Sequence, residues 1–544
     1  MGDSKVTRDV SRRQFIDLVG KYGGAGAAYS SMLAMGLLPM PEAYAGAPRL
    51  SPGSGKGTKV LILGAGIAGM VAAYELASAG YDCIVLEARS RAGGRNWSVR
   101  QGSVVEETGF SPQMVDWDPG DHMYFNPGPA RIPHHHQGIL SYCRELEVPI
   151  EVMCNDNRSA YLYDGRAFDG KPQPARSAIN DARGFVAELA AKAAAADLLD
   201  QPVSIVDKKR ILDFLTAFGD LDEHLLVYRG SERSGYASPP GAGNEAGTIG
   251  KPIDFRHLLA SDFWQKPTYK MFFGDSFDQA ATMLQPVGGM GRIGEAFARK
   301  LASIPNIRVI YDAEVIEIEK TWDKDGPSGA QVFWKSTKPG TATPSPIAAA
   351  YLICTIPLPV LRNVKSNFPV ELTAAIASVP YVPAGKIAFQ AERRFWELDH
   401  QVYGGISWTS RDITQIWYPS AGLHQKKGIL VGGYIWDQAP GDAFARKSPA
   451  RRARDAIADG EYIHANYGAS LVKGVSVAWP NISFTRGAWA FWDSNVRNRY
   501  YPILLKGDHD RRILFAGEHM SYLSGWQEGA VRSAHYAIEQ IARR

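Results

Sequence analysis

The chain has 544 residues, 60 Lys and Arg against 56 Asp and Glu, and 45% hydrophobic content. That length and balance imply roughly two to four packed domains and exclude a disordered tail or a collagen-like repeat. A net charge of +4 without basic blocks interleaved with aromatics argues against nucleic acid as a partner, and the four cysteines, Cys83, Cys143, Cys154 and Cys354, are too few for a disulfide scaffold and lack the CxxC spacing of a zinc site.

Residues 1–45 read as a targeting segment. Ser11-Arg12-Arg13-Gln14-Phe15-Ile16 precedes an uncharged Gly/Ala/Ser-rich stretch from Tyr22 to Met40 and then Ala43-Tyr44-Ala45, the order of n-region, h-region and small-residue cleavage site. The paired arginines resemble a twin-arginine export signal, which implies a periplasmic or secreted destination. An amphipathic helix with an incidental Arg pair is the alternative. The apolar stretch is diluted by Gly and Ser, so no permanent membrane anchor is expected. Arg49 to Lys59 reads as a linker.

Lys59 to Leu63 predicts a buried parallel strand. It leads through Gly64-Ala65-Gly66-Ile67-Ala68-Gly69 into a helix expected over Met70 to Ala79, and Tyr81 to Glu87 predicts a second strand. Glycines are needed where a pyrophosphate approaches backbone N–H groups at a helix start, and Glu87 stands where an acid accepts from a ribose hydroxyl. With strand, Gly64, Gly66, Gly69, helix and acid in register, dinucleotide binding is expected.

The next residues, Ala88-Arg89-Ser90-Arg91-Ala92-Gly93-Gly94-Arg95, resemble the segment that follows this acid in the flavin amine oxidase family. There, Gly93, Gly94 and Arg95 lie along the cofactor's phosphates and ring, which implies FAD. The glycines permit close backbone approach and the guanidinium can neutralise phosphate. Farther along, Pro127 to Pro133 resembles the GPxRxP loop of L-amino acid oxidases, in which the arginine, here Arg131, clamps the substrate carboxylate through a bidentate fork. Locally, an ordinary Arg in a Pro-rich loop is the alternative. Amine and polyamine oxidases have no carboxylate to bind, so Arg131 is the main discriminator. Only Cys143 and Cys154 are near enough in sequence for a local bridge. His134-His135-His136 offers imidazoles but no tetrahedral ligand set, so no metal is expected.

Ala175 to Lys270 predicts a helical insert, with amphipathic spacing over Phe185 to Ala190. Where some relatives present an active-site His, Ser261 to Lys270 has Phe263 and Trp264, and His257 reads as structural. Leu284 to Met290, a helix to Leu301 and the strand Ala313 to Ile318 resemble the family's return to the cofactor domain, with Val315 at the adenine. Pro383 to Phe389 matches the turn before the lysine that meets flavin N5 through a water, here Lys386, although a strand-end lysine can also snorkel to solvent.

Lys386 to Gln390 and Ile413 to Tyr434 alternate as strands do. Gln415 to Ser420 resembles the strand that sets a Tyr, here Tyr418, beside the substrate; Trp417 and Tyr418 read equally well as core. Ile513 to His519 and Gly525 to Ala530 resemble the closing strand and helix, which implies Glu518 near the ribityl chain, the Gly529 end near the isoalloxazine, Gly517, Gly525 and Trp526 among the cofactor-binding residues, and Trp526 as a second aromatic wall. No Cys lies near Ser521 to Gly525, so non-covalent FAD is expected.

The expected fold is α/β: a discontinuous Rossmann-type FAD domain (56–100, 281–355, 505–544), a mixed-sheet substrate domain (101–174, 356–504) and a helical domain (175–280). The resemblance implies an FAD-dependent L-amino acid oxidase using O2, assembled as a homodimer or larger homo-oligomer, with Arg131, Lys386, Tyr418 and Trp526 at the reacting end. An amine or polyamine oxidase, an amino acid monooxygenase and a degenerate flavin-binding protein are the rivals.

Overall fold

The computed structural model describes residues 46–199, 203–265, 270–341, 345–508 and 510–543. The expected export segment, residues 1–45, lies outside these residues.

A five-stranded parallel sheet forms the first layer, in the order Ile307–Ile310, Asp82–Leu86, Lys59–Leu63, Tyr351–Cys354, Ile513–Phe515. Its strands come from all three segments expected to build the cofactor domain. Alternation on the central strand explains the continuous apolar run. Val60 and Ile62 pack into one core with the helices Ile67–Ser78 and Gln527–Ala542, while Leu61 and Leu63 pack into a second core on the opposite face. All four are fully buried, each stabilising by about 1.5–3 kcal/mol. Asp82–Leu86 lies on one side of the central strand and Tyr351–Cys354 on the other, so the chain reverses strand order there. A crevice opens at the strand ends at such a point.

The glycine-turn helix begins at Ile67, three residues before the expected Met70, because Gly66 already serves as its N-cap. The expected linker is docked: Gly55 N donates to Ala79 O at 3.0 Å. Ala313–Asp323 continues well beyond the expected strand into a long hairpin with Gly326–Ser336.

The second layer is a seven-stranded mixed sheet, antiparallel except where Gly405–Thr409 meets Tyr161–Tyr163. Gly385–Ala391 lies inside it, between Leu471–Ala478 and Gly428–Ile435. Both faces of this strand are covered, so all seven residues are buried, Lys386 included. The alternating stretch Ile413 to Tyr434 divides into two strands, Gln415–Tyr418 and Gly428–Ile435. The insert contains the helices Ala175–Ala195 and Ile205–Gly219, packed through Ala187 and Gly219, with a short hairpin and helix after them. Cys143 is buried in the first core and Cys154 is half-buried elsewhere; all four cysteines are free, so the local bridge does not form. Among the described residues, no helix is long and apolar enough to cross a membrane.

Candidate active site

A cavity of about 820 Å³ lies between the two sheets, a size suited to a large organic molecule. Its ends differ in construction.

At the nucleotide end the backbone does most of the work. Gly64 has φ +103°, and Gly94, at φ +58°, would bring a Cβ to 3.2 Å from Gly66 Cα. Gly66 and Gly93 form a parallel bridge. Gly69 does not line the cavity; its Cβ would meet Gly64 O at 1.9 Å, so it seats the helix on the strand. The helix start at Ile67 has no side-chain cap and no acid in its first turn, leaving N–H donors and the positive dipole end for an anion. Glu87 accepts from Ala65 N at 2.8 Å and Arg89 N at 2.9 Å, and Ala88, Arg89 and Val315 line the wall beside it. Burial lowers Arg89, and lowers Arg91 to about 9. Arg91 donates only to the carbonyls of Ala92 and Gly94. A glycine cradle and an uncapped helix start together fit the diphosphate of FAD.

Arg95 departs from expectation. Its Nη1 donates to Glu518 Oε1 at 2.8 Å and to Ala488 O at 2.5 Å, so its charge is already met within the chain. Glu518 also accepts from Ala490 N and Gly525 N. The pair therefore fixes the Gly525 turn, and both residues line the cavity with Gly517 and Gly525.

At the other end, side chains from distant segments converge. Arg131 is buried on its Pro-rich loop, and burial lowers it to about 10. Its Nη1 donates to Asn155 Oδ1 at 3.2 Å, and its guanidinium lies 4.6 Å from the Trp417 ring, 5.4 Å from Phe273 and 5.9 Å from Trp526. No carboxylate pairs with it among the described residues. Lys386 is paired across the sheet with Tyr434; its Nζ is 4.5 Å from that ring and donates to Asn126 O at 3.0 Å and Gly128 O at 2.7 Å. Burial, then the nearby Arg131 charge, push this amine well below its ordinary range. Trp526, the N-cap of the last helix, closes the wall.

Tyr418 is not part of this wall. Successive strand residues face opposite ways, so Gln415–Tyr418 presents Trp417 to the cavity and buries Tyr418 in the core behind. There its hydroxyl bonds Ser407 Oγ at 2.7 Å and His464 Nε2 at 2.6 Å. Besides Trp526, the aromatic residues that line the cavity include Trp417, Tyr434 and Trp436. The last two were missed by the sequence reading; their i, i+2 spacing on a strand paired with Lys386 was the available signal. From the insert, Phe273 reaches Arg131 and Gln279 reaches the cavity, while Phe263 stacks on Phe168 and Trp264 faces outward. His257 accepts from Phe168 N at 3.1 Å, a structural contact. No His, Asp or Cys is among the described residues lining the cavity.

The profile of the flavin containing amine oxidoreductase family matches residues 67–542. The L-amino-acid oxidase of Siganus canaliculatus is 24% identical over 504 residues, 89% of this chain and 85% of its own. The flavin-dependent L-tryptophan oxidase RebO of Lentzea aerocolonigenes is 25% identical over 530 residues, covering 89% and 98%. A putrescine oxidase solved with putrescine bound superposes with a TM-score of 0.57 at 18% identity, over 90% of this chain and 99% of its own.

Proposed function

This chain belongs to the flavin containing amine oxidoreductase family, and we propose that within it the protein is an L-amino acid oxidase holding FAD non-covalently. The overall reaction consumes an L-amino acid, O2 and water and yields a 2-oxo acid, ammonia and hydrogen peroxide. Bound FAD supplies acceptance of hydride from the substrate Cα and its own re-oxidation by O2.

The observation that carries this reading is Arg131: a buried guanidinium in an aromatic-walled cavity with no carboxylate partner among the described residues. A buried charge is costly until paired, and a substrate carboxylate is the missing partner. Trp417, Tyr434 and Trp526 then confine the rest of the molecule and exclude water from the reacting bond. Lys386, held toward its neutral form, uses two N–H groups on the Asn126 and Gly128 carbonyls. Its lone pair can take up a proton at Nζ and so set a cation beside oxygen as it is reduced.

A peroxide assay across the twenty L-amino acids, several D-enantiomers and the matching decarboxylated amines tests the reading. Turnover confined to L-amino acids supports it; preference for the amines makes the protein an amine oxidase instead. Less peroxide than substrate consumed would point to a monooxygenase. We further propose export through Arg12 and Arg13, which lie outside the described residues. Arg12→Lys with Arg13→Lys should strand activity in the cytoplasm, and undiminished secretion sinks that idea. Assembly as a homodimer or larger homo-oligomer is a third proposal, measured by sedimentation.

A further inference from the structure

The His134–His136 run offers no complete ligand set in the sequence, but the fold adds a carboxylate to it. The segment after the turn at Lys270–Asp275 brings Asp278 against the histidines. Asp278 Oδ1 lies 3.0 Å from His135 Nε2 and 3.8 Å from His136 Nε2, and one ligand atom of each residue lies within 4.8 Å of the others. Tetrahedral zinc with nitrogen at about 2.0–2.1 Å holds its ligand atoms roughly 3.4 Å apart, a spacing that these two distances bracket.

Two further features point to a ligand. His136 is 2% exposed, yet its Nε2 makes no hydrogen bond; a buried imidazole nitrogen without a partner forfeits its solvation. Its ring is also held, edge-on to Trp526 at 5.1 Å, much as surrounding contacts orient metal-bound histidines. His135 and Asp278 remain partly open to solvent, which gives an ion an entry path and leaves room for a water as fourth ligand.

We propose that His135, His136 and Asp278 form a site for one divalent transition metal of the zinc class, just outside the reacting end of the cavity. Two imidazoles and one carboxylate are a borderline-soft donor set that suits zinc and disfavours calcium or magnesium. The ion would stand behind two parts of the substrate wall. His136 supports Trp526, and Asp278 precedes Gln279, whose carbonyl accepts from the same Asn155 amide that receives Arg131. Bound metal thus ties the insert to the arginine loop.

The test uses untagged holoenzyme freed of metal by chelator, dialysed to equilibrium against Zn²⁺ and analysed for zinc and flavin. One zinc per chain is expected for the parent and for His134→Gln. Asp278→Asn and His135→Gln should each weaken zinc binding by at least the roughly 10–100-fold that loss of an outer partner costs, with flavin content unchanged. Zinc lost in His134→Gln but kept in Asp278→Asn would mean simple chelation by an exposed histidine run and would overturn the site, as would a parent that binds none. Should a variant fail to fold, X-ray absorption on the zinc-loaded parent decides: two imidazoles per zinc support the proposal, one or none overturns it.

Discussion

The two ends of the cavity are built by different physics. The nucleotide end is built chiefly on one stretch, Lys59 to Arg95, with Val315 added from a distant strand, and its contacts are mostly backbone: glycines that let main chains meet, a helix start, and a Glu87 carboxylate tied to Ala65 N. The reacting end uses single side chains from widely separated segments, brought together by the packing of sheet, insert and last helix, and holds the Arg131 guanidinium without a matching acid among the described residues. A site made of backbone tolerates little added volume, whereas a site made of side chains loses its chemistry one residue at a time.

That contrast predicts which substitution breaks which property. The largest effect is expected at Arg131. Losing one member of a buried charge pair costs about 2–5 kcal/mol, so Arg131→Met should lower kcat/KM for L-amino acids by roughly 30-fold to several thousand-fold while flavin content stays normal. Decarboxylated amines should suffer far less; equal loss for both would make Arg131 structural and remove the main support for the proposed function.

Lys386→Met comes next. Stopped-flow flavin absorbance should show re-oxidation by O2 slowed by about a hundredfold, the scale of one preorganised electrostatic group, with anaerobic reduction by substrate within about tenfold of the parent. Unaffected re-oxidation would reject a role for Nζ in that half of the cycle. A mutant without flavin would show that Lys386 holds the site together.

At the opposite end, Gly69→Ala inserts a methyl 1.9 Å from Gly64 O. Overpacking of about 1–3 kcal/mol should weaken FAD binding by roughly 5- to 150-fold and leave the order of substrate preference intact. Equilibrium flavin titration measures the first and the peroxide panel the second. A changed preference with full flavin occupancy would erase the distinction between the two ends.

The smallest effect is expected for Tyr418→Phe. Its hydroxyl bonds Ser407 and His464 behind the wall, so kcat/KM should stay within about threefold, while loss of roughly 1 kcal/mol of hydrogen bonding lowers Tm by about a few degrees. Trp417→Leu, on the cavity face, should cost more activity than Tyr418→Phe; the reverse order would contradict the assignment of strand faces.

The sequence by itself determined what is local. The strand, glycine turn, helix and acid lie within one short stretch whose spacing states its own geometry, so Gly64, Gly66, Glu87, Gly93 and Gly94 were legible, while the helix start was misplaced and the roles of Gly69 and Arg95 were not legible. Arg131, Lys386 and Trp526 were legible as positions through the family resemblance. Which of Trp417 and Tyr418 faces the cavity was not, because a strand's alternation fixes two faces without saying which is inward; pairing of Gln415–Tyr418 with Gly405–Thr409 and with the strand that carries Tyr434 decided it. Tertiary structure alone also gave Arg95 to Glu518 and Asp278 to His135 and His136. Those partners are 423 and more than 140 residues apart, and no local spacing rule reaches across such a distance, since folding selects such pairs through the packing of whole layers.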